Sequence, residues 1–465
     1  MKYRLLSEKI INIGLLSTLL LFPFLINIAL LSPSDLVHPI IEINFSLVDV
    51  IIACCLLLWA INYLLYKNVR PVKLPPEPVL FFIGFGILSF VNSFSMLEWL
   101  KGFIQLIEYF LLFYLLLINN LQTVKIKTIK NLLFISTTII LVVALIQHTA
   151  LASEPYFVRG FFVNRNIFGS YLCMVIPLVY IELVSSKKIY QKFWMGALLL
   201  ITYFVLLSGS AILSLLISLA IISWIYGKRM FIKYGVTALL LLSLYPFIMP
   251  VKNVTSLKEF ASIYEQGSVN ENYYRRLAQI NASKENTFFT KNIGDNLLMI
   301  RSNDLMSGRI PDLIQGKAYR EMDSKRHIKN RYIEMQASLN MLSENALLGV
   351  GLGNFQNQIG TFYKELPKVN TAEINQHNGY LLIASTTGVF GLSALLWLFC
   401  LAWRHSKKRF KFSSQDKYLF LGLAGSILAC MIENFFSYLF IASLLTPFIF
   451  ILYMTFKESK TNEIK

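Results

Sequence analysis

A histidine stands where a polar segment gives way to an apolar run: His377 in NQHNGYLLIASTTGVFGL, followed at once by Asn378. An imidazole titrates near neutrality and can take the proton of an attacking hydroxyl. The same position also suits an interfacial histidine that only caps the helix. Arg331 opens a second polar segment, RYIEMQASLNMLSEN. A guanidinium binds planar oxyanions through two parallel hydrogen bonds, and a helix start nearby adds partial positive charge. A solvated arginine is the bland alternative. A third group, RGFFVNRNIFGSYL, places Arg159, Asn164, Arg165 and Asn166 just before another apolar run. Phosphate binding and lipid head-group contact explain these two arginines equally well. Lys101, Glu98 and Glu108 lie in or near one apolar run and Glu433 near the end of another. Charge inside a membrane is costly and usually marks a pathway or a site, although Lys101 and Glu98 also make a plausible structural pair. His38, His148 and His327 compete with His377 for attention, and His405 belongs to a basic cluster.

These residues need elements to position them, and composition says which. The 465-residue chain is 55% hydrophobic and 15% charged, against about a quarter charged in a soluble protein. Apolar runs long enough to cross a bilayer recur throughout. The formal net charge of +17 therefore reads as membrane topology rather than nucleic-acid binding, because the basic residues cluster between apolar runs. The five cysteines, Cys54, Cys55, Cys173, Cys400 and Cys430, all fall inside apolar runs. No disulfide frame or zinc site is expected between the runs. The first run, from Ile10 to Leu31, is too long for a signal-peptide core and is expected to be a retained helix.

The expected fold class is all-α: a polytopic membrane bundle of about twelve transmembrane helices with one large extracytoplasmic loop. The helices are expected near 10–31, 47–66, 79–95, 100–118, 131–151, 166–185, 193–208, 211–227, 232–250, 379–403, 417–434 and 439–456. Residues 1–250 then hold helices 1–9, 251–376 the loop, 377–456 helices 10–12, and 457–465 a cytoplasmic tail. With the N-terminus inside, 24 Lys and Arg fall on inside segments, and the short outside loops hold only Lys101, Arg159 and Arg165. That bias puts both termini in the cytoplasm and the 251–376 segment outside. The segment carries 16 basic and 13 acidic residues. Residues 251–325 are polar and expected to be mobile or loosely helical. Residues 331–345 carry Tyr332, Met335, Leu339 and Leu342 at helical spacing and predict an amphipathic helix on the outer leaflet or on the bundle. In GVGLGNF no strand precedes the glycines, so close backbone packing is expected rather than nucleotide binding.

An outward-facing site has no ATP, so its substrate must bring its own leaving group. A polyprenyl-diphosphate sugar does so, and its transfer needs cations for the diphosphate and a base for the accepting hydroxyl.

Three stretches carry a resemblance. RYIEMQASLNMLSENALLGVGLGNF resembles an Arg, a helix and a glycine-rich turn. HNGYLLIASTTGVFGL resembles an "H-N-x-y-l" start to a glycine-bearing helix. RGFFVNRNIFGSYLCMVIPL resembles an outer loop leading into a Pro-bearing helix. In this order and topology, from about residue 80 to 450, they are similar to the O-antigen ligase and O-antigen polymerase family of the bacterial envelope, which includes exopolysaccharide polymerases. The resemblance implies a metal-independent, inverting glycosyltransferase without cofactor in the bacterial inner membrane. Its partners would be a polyprenyl-diphosphate-linked glycan donor, a glycan or lipid A-core acceptor, and the bilayer, with no nucleic acid. It gives His377 the role of general base and Arg331 a diphosphate role. Arg159, Arg165 and Lys101 are further diphosphate candidates, supported by Asn164, Asn166 and Asn378.

One departure stands out. The family usually has Ser-Arg at the start of the eighth helix, whereas LLSGSAILSLL has Ser210 followed by Ala211. Losing one preorganised donor costs about 100- to 1000-fold in rate, so Arg165, Arg159 or Lys101 would have to substitute. Two other functions remain open on sequence: a polysaccharide flippase, which would be expected to show repeated halves with broken helices, and a non-catalytic membrane scaffold.

Overall fold

The computed structural model describes residues 2–23, 28–29, 44–65, 71–150, 158–162, 165–237, 288–293, 296–301, 331, 334–362, 378–413, 416–438 and 442–457. These residues are overwhelmingly helical. In chain order the helices are α1 (Lys2–Leu21), α2 (Leu47–Leu65), α3 (Glu77–Leu88), α4 (Met96–Leu106), α5 (Tyr114–Asn120), α6 (Ile126–Ala150), α7 (Arg165–Ser185), α8 (Ile189–Val205) and α9 (Gly209–Tyr226). Then come α10 (228–237), α11 (334–344), α12 (Phe355–Phe362), α13 (Gly379–Phe412), α14 (Lys417–Glu433) and α15 (Ala442–Phe456). Six of the described helices are long and apolar enough to cross a membrane: Leu47–Leu65, Met96–Asn120, Ile126–Thr149, Arg165–Ser185, Gly209–Tyr226 and Gly379–Phe412.

Several boundaries differ from expectation. Helix α1 begins at Lys2, because charged residues set a membrane border without interrupting a helix. Helix α4 passes through a π-helical turn, Ile107–Phe113, into α5. The expected helix 232–250 lies outside the described residues beyond 237. The polar stretch 251–325 was expected to lack strands, yet Phe288–Ile293 pairs antiparallel with Asn296–Arg301, a hairpin closed by two residues. A second small pair joins Ile28–Ala29 to Asn44–Phe45.

Helix α7 is the axis of the bundle. Within its membrane-length window 78% of residues are buried, against 22% for α2 at the periphery. It packs on α8, α9 and α14, and α14 packs in turn on α13 and α9. Small residues make these approaches possible, as expected where lipid tails are as apolar as the side chains. A β-carbon on Gly169 would sit 2.8 Å from Ser208 Cβ and 2.9 Å from Ala211 Cβ of α9. One on Gly425 of α14 would sit 2.8 Å from Pro177 Cβ of α7.

Helix α13 is broken at Gly388, where φ is 73° and ψ is −174°. The break exchanges hydrogen bonds with the turn after α11. Val389 N donates to Ala346 O (2.8 Å), Val350 N donates to Ser385 O (2.8 Å), and Gly351 N donates to Thr386 O (3.1 Å). The carbonyls freed by the break are thereby met by the glycine turn, as irregular backbone in an apolar bundle requires. The other side of that turn rests on the start of α4. Asn354 Oδ1 accepts from Ser95 N (2.8 Å), and its Nδ2 donates to Ser93 Oγ (2.8 Å). Close packing is therefore the role of GVGLGNF.

The apolar face of α11 is rotated from the one expected. Ala337 and Met341 form a small core with Val350, Phe355, Ile359 and Phe362, against which Leu382 of α13 packs. Glu334 and Ser338 share that buried face, while Met335 (39%) and Leu339 (45%) are exposed. Tyr332 lies outside the described residues.

Candidate functional site

The last residue of α14, Glu433, is fully buried where α7 and α9 meet. Three serine hydroxyls converge on its carboxylate. Ser170 Oγ of α7 lies 3.1 Å from Oε1, Ser210 Oγ of α9 lies 3.0 Å from Oε1, and Ser214 Oγ lies 3.0 Å from Oε2. Ser210 and Ser214 are one turn apart and so share a face of α9. Gly169, next to Ser170, is what lets that face come close. The hydroxyl set continues through Ser208 Oγ, 3.0 Å from Ser210 Oγ, and Ser437 Oγ, 3.2 Å from Ser170 Oγ.

The start of α13 is fastened to the same place. Gly379 N donates to Asn434 O (2.9 Å) and to Ser437 O (3.2 Å). Asn378 is the N-cap, its Oδ1 accepting from Leu381 N at 3.0 Å. A β-carbon at residue 379 would lie 2.1 Å from Asn434 Oδ1, so only glycine fits. Among the described residues, no hydrogen-bond partner within range is found for either polar atom of the buried Asn434 amide. Beside it, Tyr380 stands with its ring centre 4.6 Å from that of Phe435.

Arg331 is exposed and precedes α11, the helix that packs near Leu382, one turn into α13. Arg165 and Asn166 are half-buried at the start of α7, and Asn166 O accepts from Ser170 Oγ at 3.0 Å. Arg159 is exposed on a turn tied to α6: its backbone N (3.0 Å) and that of Gly160 (2.8 Å) both donate to Gln147 Oε1. Lys101 sits elsewhere, paired with Glu98 at 2.9 Å. Glu98 borders Gly353 of the glycine turn, at the Gly388 end of the first part of α13. Gly379 is nine residues away along that helix, about 13 Å. The structure thus brings together Asn378 and the start of α7, and leaves Lys101 apart. His377 and Asn164 lie outside the described residues.

Ala211, where an arginine was expected, is fully buried. It stands against Gly169 with no volume for a longer side chain. Glu108 lies within the π-helical turn, next to Tyr109, whose hydroxyl donates to Asp49 Oδ1 at 2.7 Å. That group forms a second polar contact between α2 and the α4–α5 helix. Sequence reasoning missed Ser170, Ser214, Ser437 and Asn434. The one available signal was the four-residue spacing of Ser210 and Ser214 opposite an intramembrane acid.

The fold and this cluster define a multi-pass membrane helix bundle with an acid-and-hydroxyl site at the ends of α7, α9, α13 and α14. A family model described as O-antigen ligase matches residues 194–398, which supports an assignment to the O-antigen ligase/polymerase family. The match spans α8, α9, the polar segment with Arg331, and His377 and Asn378. It stops short of Glu433 and begins after Ser170. No curated protein matches the chain. The family implies a glycosyltransferase-like, glycan-joining enzyme that works on lipid-linked glycan and an acceptor in a membrane.

Proposed function

We propose that this chain transfers or joins glycan from a polyprenyl-diphosphate donor to an acceptor hydroxyl at the outer face of the bacterial inner membrane, as a metal-independent, inverting ligase or polymerase. In this reading about twelve helices span the bilayer, both termini are cytoplasmic, and the segment 251–376 faces outward. The acceptor oxygen attacks the anomeric carbon while the bond from that carbon to the diphosphate oxygen breaks, inverting the centre. His377 takes the hydroxyl proton. Arg331, with Arg165 and Arg159 nearby in sequence to the α7 start, stabilises the departing polyprenyl diphosphate. Asn164, Asn166 and Asn378 support the site. Lys101, occupied by Glu98, is the weakest of the proposed cations.

The observation that carries the reading is the convergence at Glu433. Asn378, the neighbour of His377, opens a helix whose next residue, Gly379, is fastened to Asn434 and Ser437 beside Glu433, where the serine hydroxyls of α7 and α9 converge. Arg331, His377 and Asn378 lie within the family match. In cells lacking the chromosomal copy, His377→Ala and Arg331→Ala are each expected to abolish transfer while the protein still inserts. Normal surface glycan from both variants would show the site to be wrong. The deletion itself separates the two activities: lost attachment indicates a ligase, and single repeat units on lipid indicate a polymerase.

A further inference from the structure

We propose that Gln147 is a positioning residue whose carboxamide fixes the turn 158–162, so that the turn presents Arg159 to the diphosphate of the donor. The inference rests on the diphosphate role of Arg159 proposed above and adds a residue outside the family match.

Three features support it. The first is the set of bonds. Gln147 lies in the last turn of α6. Its Oε1 accepts from Arg159 N (3.0 Å) and Gly160 N (2.8 Å), and its Nε2 donates to Gly160 O (2.8 Å). Peptide N–H groups only donate, so these partners fix which way the carboxamide points. The second is the shape of the turn. Gly160 has a φ of 60°, and a β-carbon there would lie 3.1 Å from Ile140 Cγ2 of α6. Phe162 N donates to Arg159 O at 3.1 Å. Val158 and Phe162 are buried, and Arg159 stands exposed between them. The Phe162 ring centre lies 5.3 Å from that of Tyr171 and 6.0 Å from that of Phe168, both on α7. The backbone of Arg159 is therefore anchored to α6 and α7, and its side chain starts from a fixed root. The third is charge. A carboxylate could accept the same two N–H bonds, but it would set a negative charge beside the guanidinium. The carboxamide accepts them while staying neutral, so the turn is held without opposing the cation. With Ala211 in place of the expected arginine, a cation held in this way is what the outer rim needs.

A glutamine that only fastens α6 to the chain before α7 would show the same bonds. A double-mutant cycle separates the two roles, because residues that act through one another depart from additivity. Full-length protein in phosphatidylcholine nanodiscs is titrated with farnesyl diphosphate as wild type, Gln147→Ala, Arg159→Ala and the double variant. Gln147→Ala is expected to weaken binding about fivefold when Arg159 is present and by less than about twofold when it is absent. Equal weakening in both backgrounds, or no weakening in either, would overturn the inference while leaving Arg159 a phosphate ligand. If Arg159→Ala leaves binding unchanged while Arg331→Ala weakens it, Arg159 is a lipid head-group contact, and the inference falls while the proposed function stands. Unchanged binding in both arginine variants removes the inference together with the diphosphate site it rests on. Should Gln147→Ala fail to fold, Gly160→Ala disturbs the same turn from its other side. The same dependence on Arg159 is then expected, and its absence overturns the inference.

Discussion

At Ala211 a single methyl group records how this chain departs from its relatives' pattern. The methyl fills the contact between α7 and α9, against Gly169, so the missing guanidinium cannot simply be restored. Overpacking a fitted contact costs about 1–3 kcal/mol, and an unpaired buried charge costs more. Ala211→Arg is therefore expected to lower the thermal unfolding midpoint in detergent and the folded yield, without raising transfer. A stable, more active variant would mean that the contact is open. Arg331, Asn378 and Glu433 could be picked from sequence because charge and capping residues stand out in an apolar chain. The serines around Glu433 could not. In an apolar helix a serine reads as a small packing residue, and the bonds that reveal its role join positions 219 and 263 residues apart.

Among the elements, α13 depends most on one backbone angle. A β-carbon at Gly388 would lie 2.0 Å from Leu347 O in a left-handed conformation that side chains rarely adopt. Gly388→Ala is expected to cost about 1–3 kcal/mol in strain, to which the clash adds. It should also undock the turn at 345–354, read as faster proteolysis within that stretch. Unchanged protection would show that the break tolerates a side chain. The sequence marked this segment as a glycine-bearing helix, and a break there leaves no periodicity signal, because apolar residues continue on both sides. Met335 and Leu339 form the more hydrophobic stripe, but Ala337 and Met341 fit the narrow space beside the glycine turn. The strands Phe288–Ile293 and Asn296–Arg301 carry no apolar–polar alternation to mark them in the sequence.

At the scale of the whole molecule, helix-forming apolar runs were the plainest message in the chain. Six described helices meet the length and composition needed to cross a bilayer. The sidedness proposed for them rests on the distribution of lysine and arginine. An epitope inserted in 251–330 is expected to be labelled by a membrane-impermeant reagent in intact spheroplasts, and tags at either terminus only after permeabilisation. Labelling in the opposite pattern would invert the bundle and remove the site from the outer face. What composition could not convey is which helix lies innermost. The close approaches that bury α7 come from glycines on both sides of its contacts, Gly169 on α7 and Gly425 on α14.

The exchange of hydrogen bonds between the broken α13 and the turn at 345–354 also limits where this architecture can vary. Cutting out that turn would strand the carbonyls of Ser385 and Thr386 in an apolar interior, so the turn works as a keystone shared by a surface segment and a bundle helix. A change of length within 345–354 is therefore expected to loosen the helix that this turn supports.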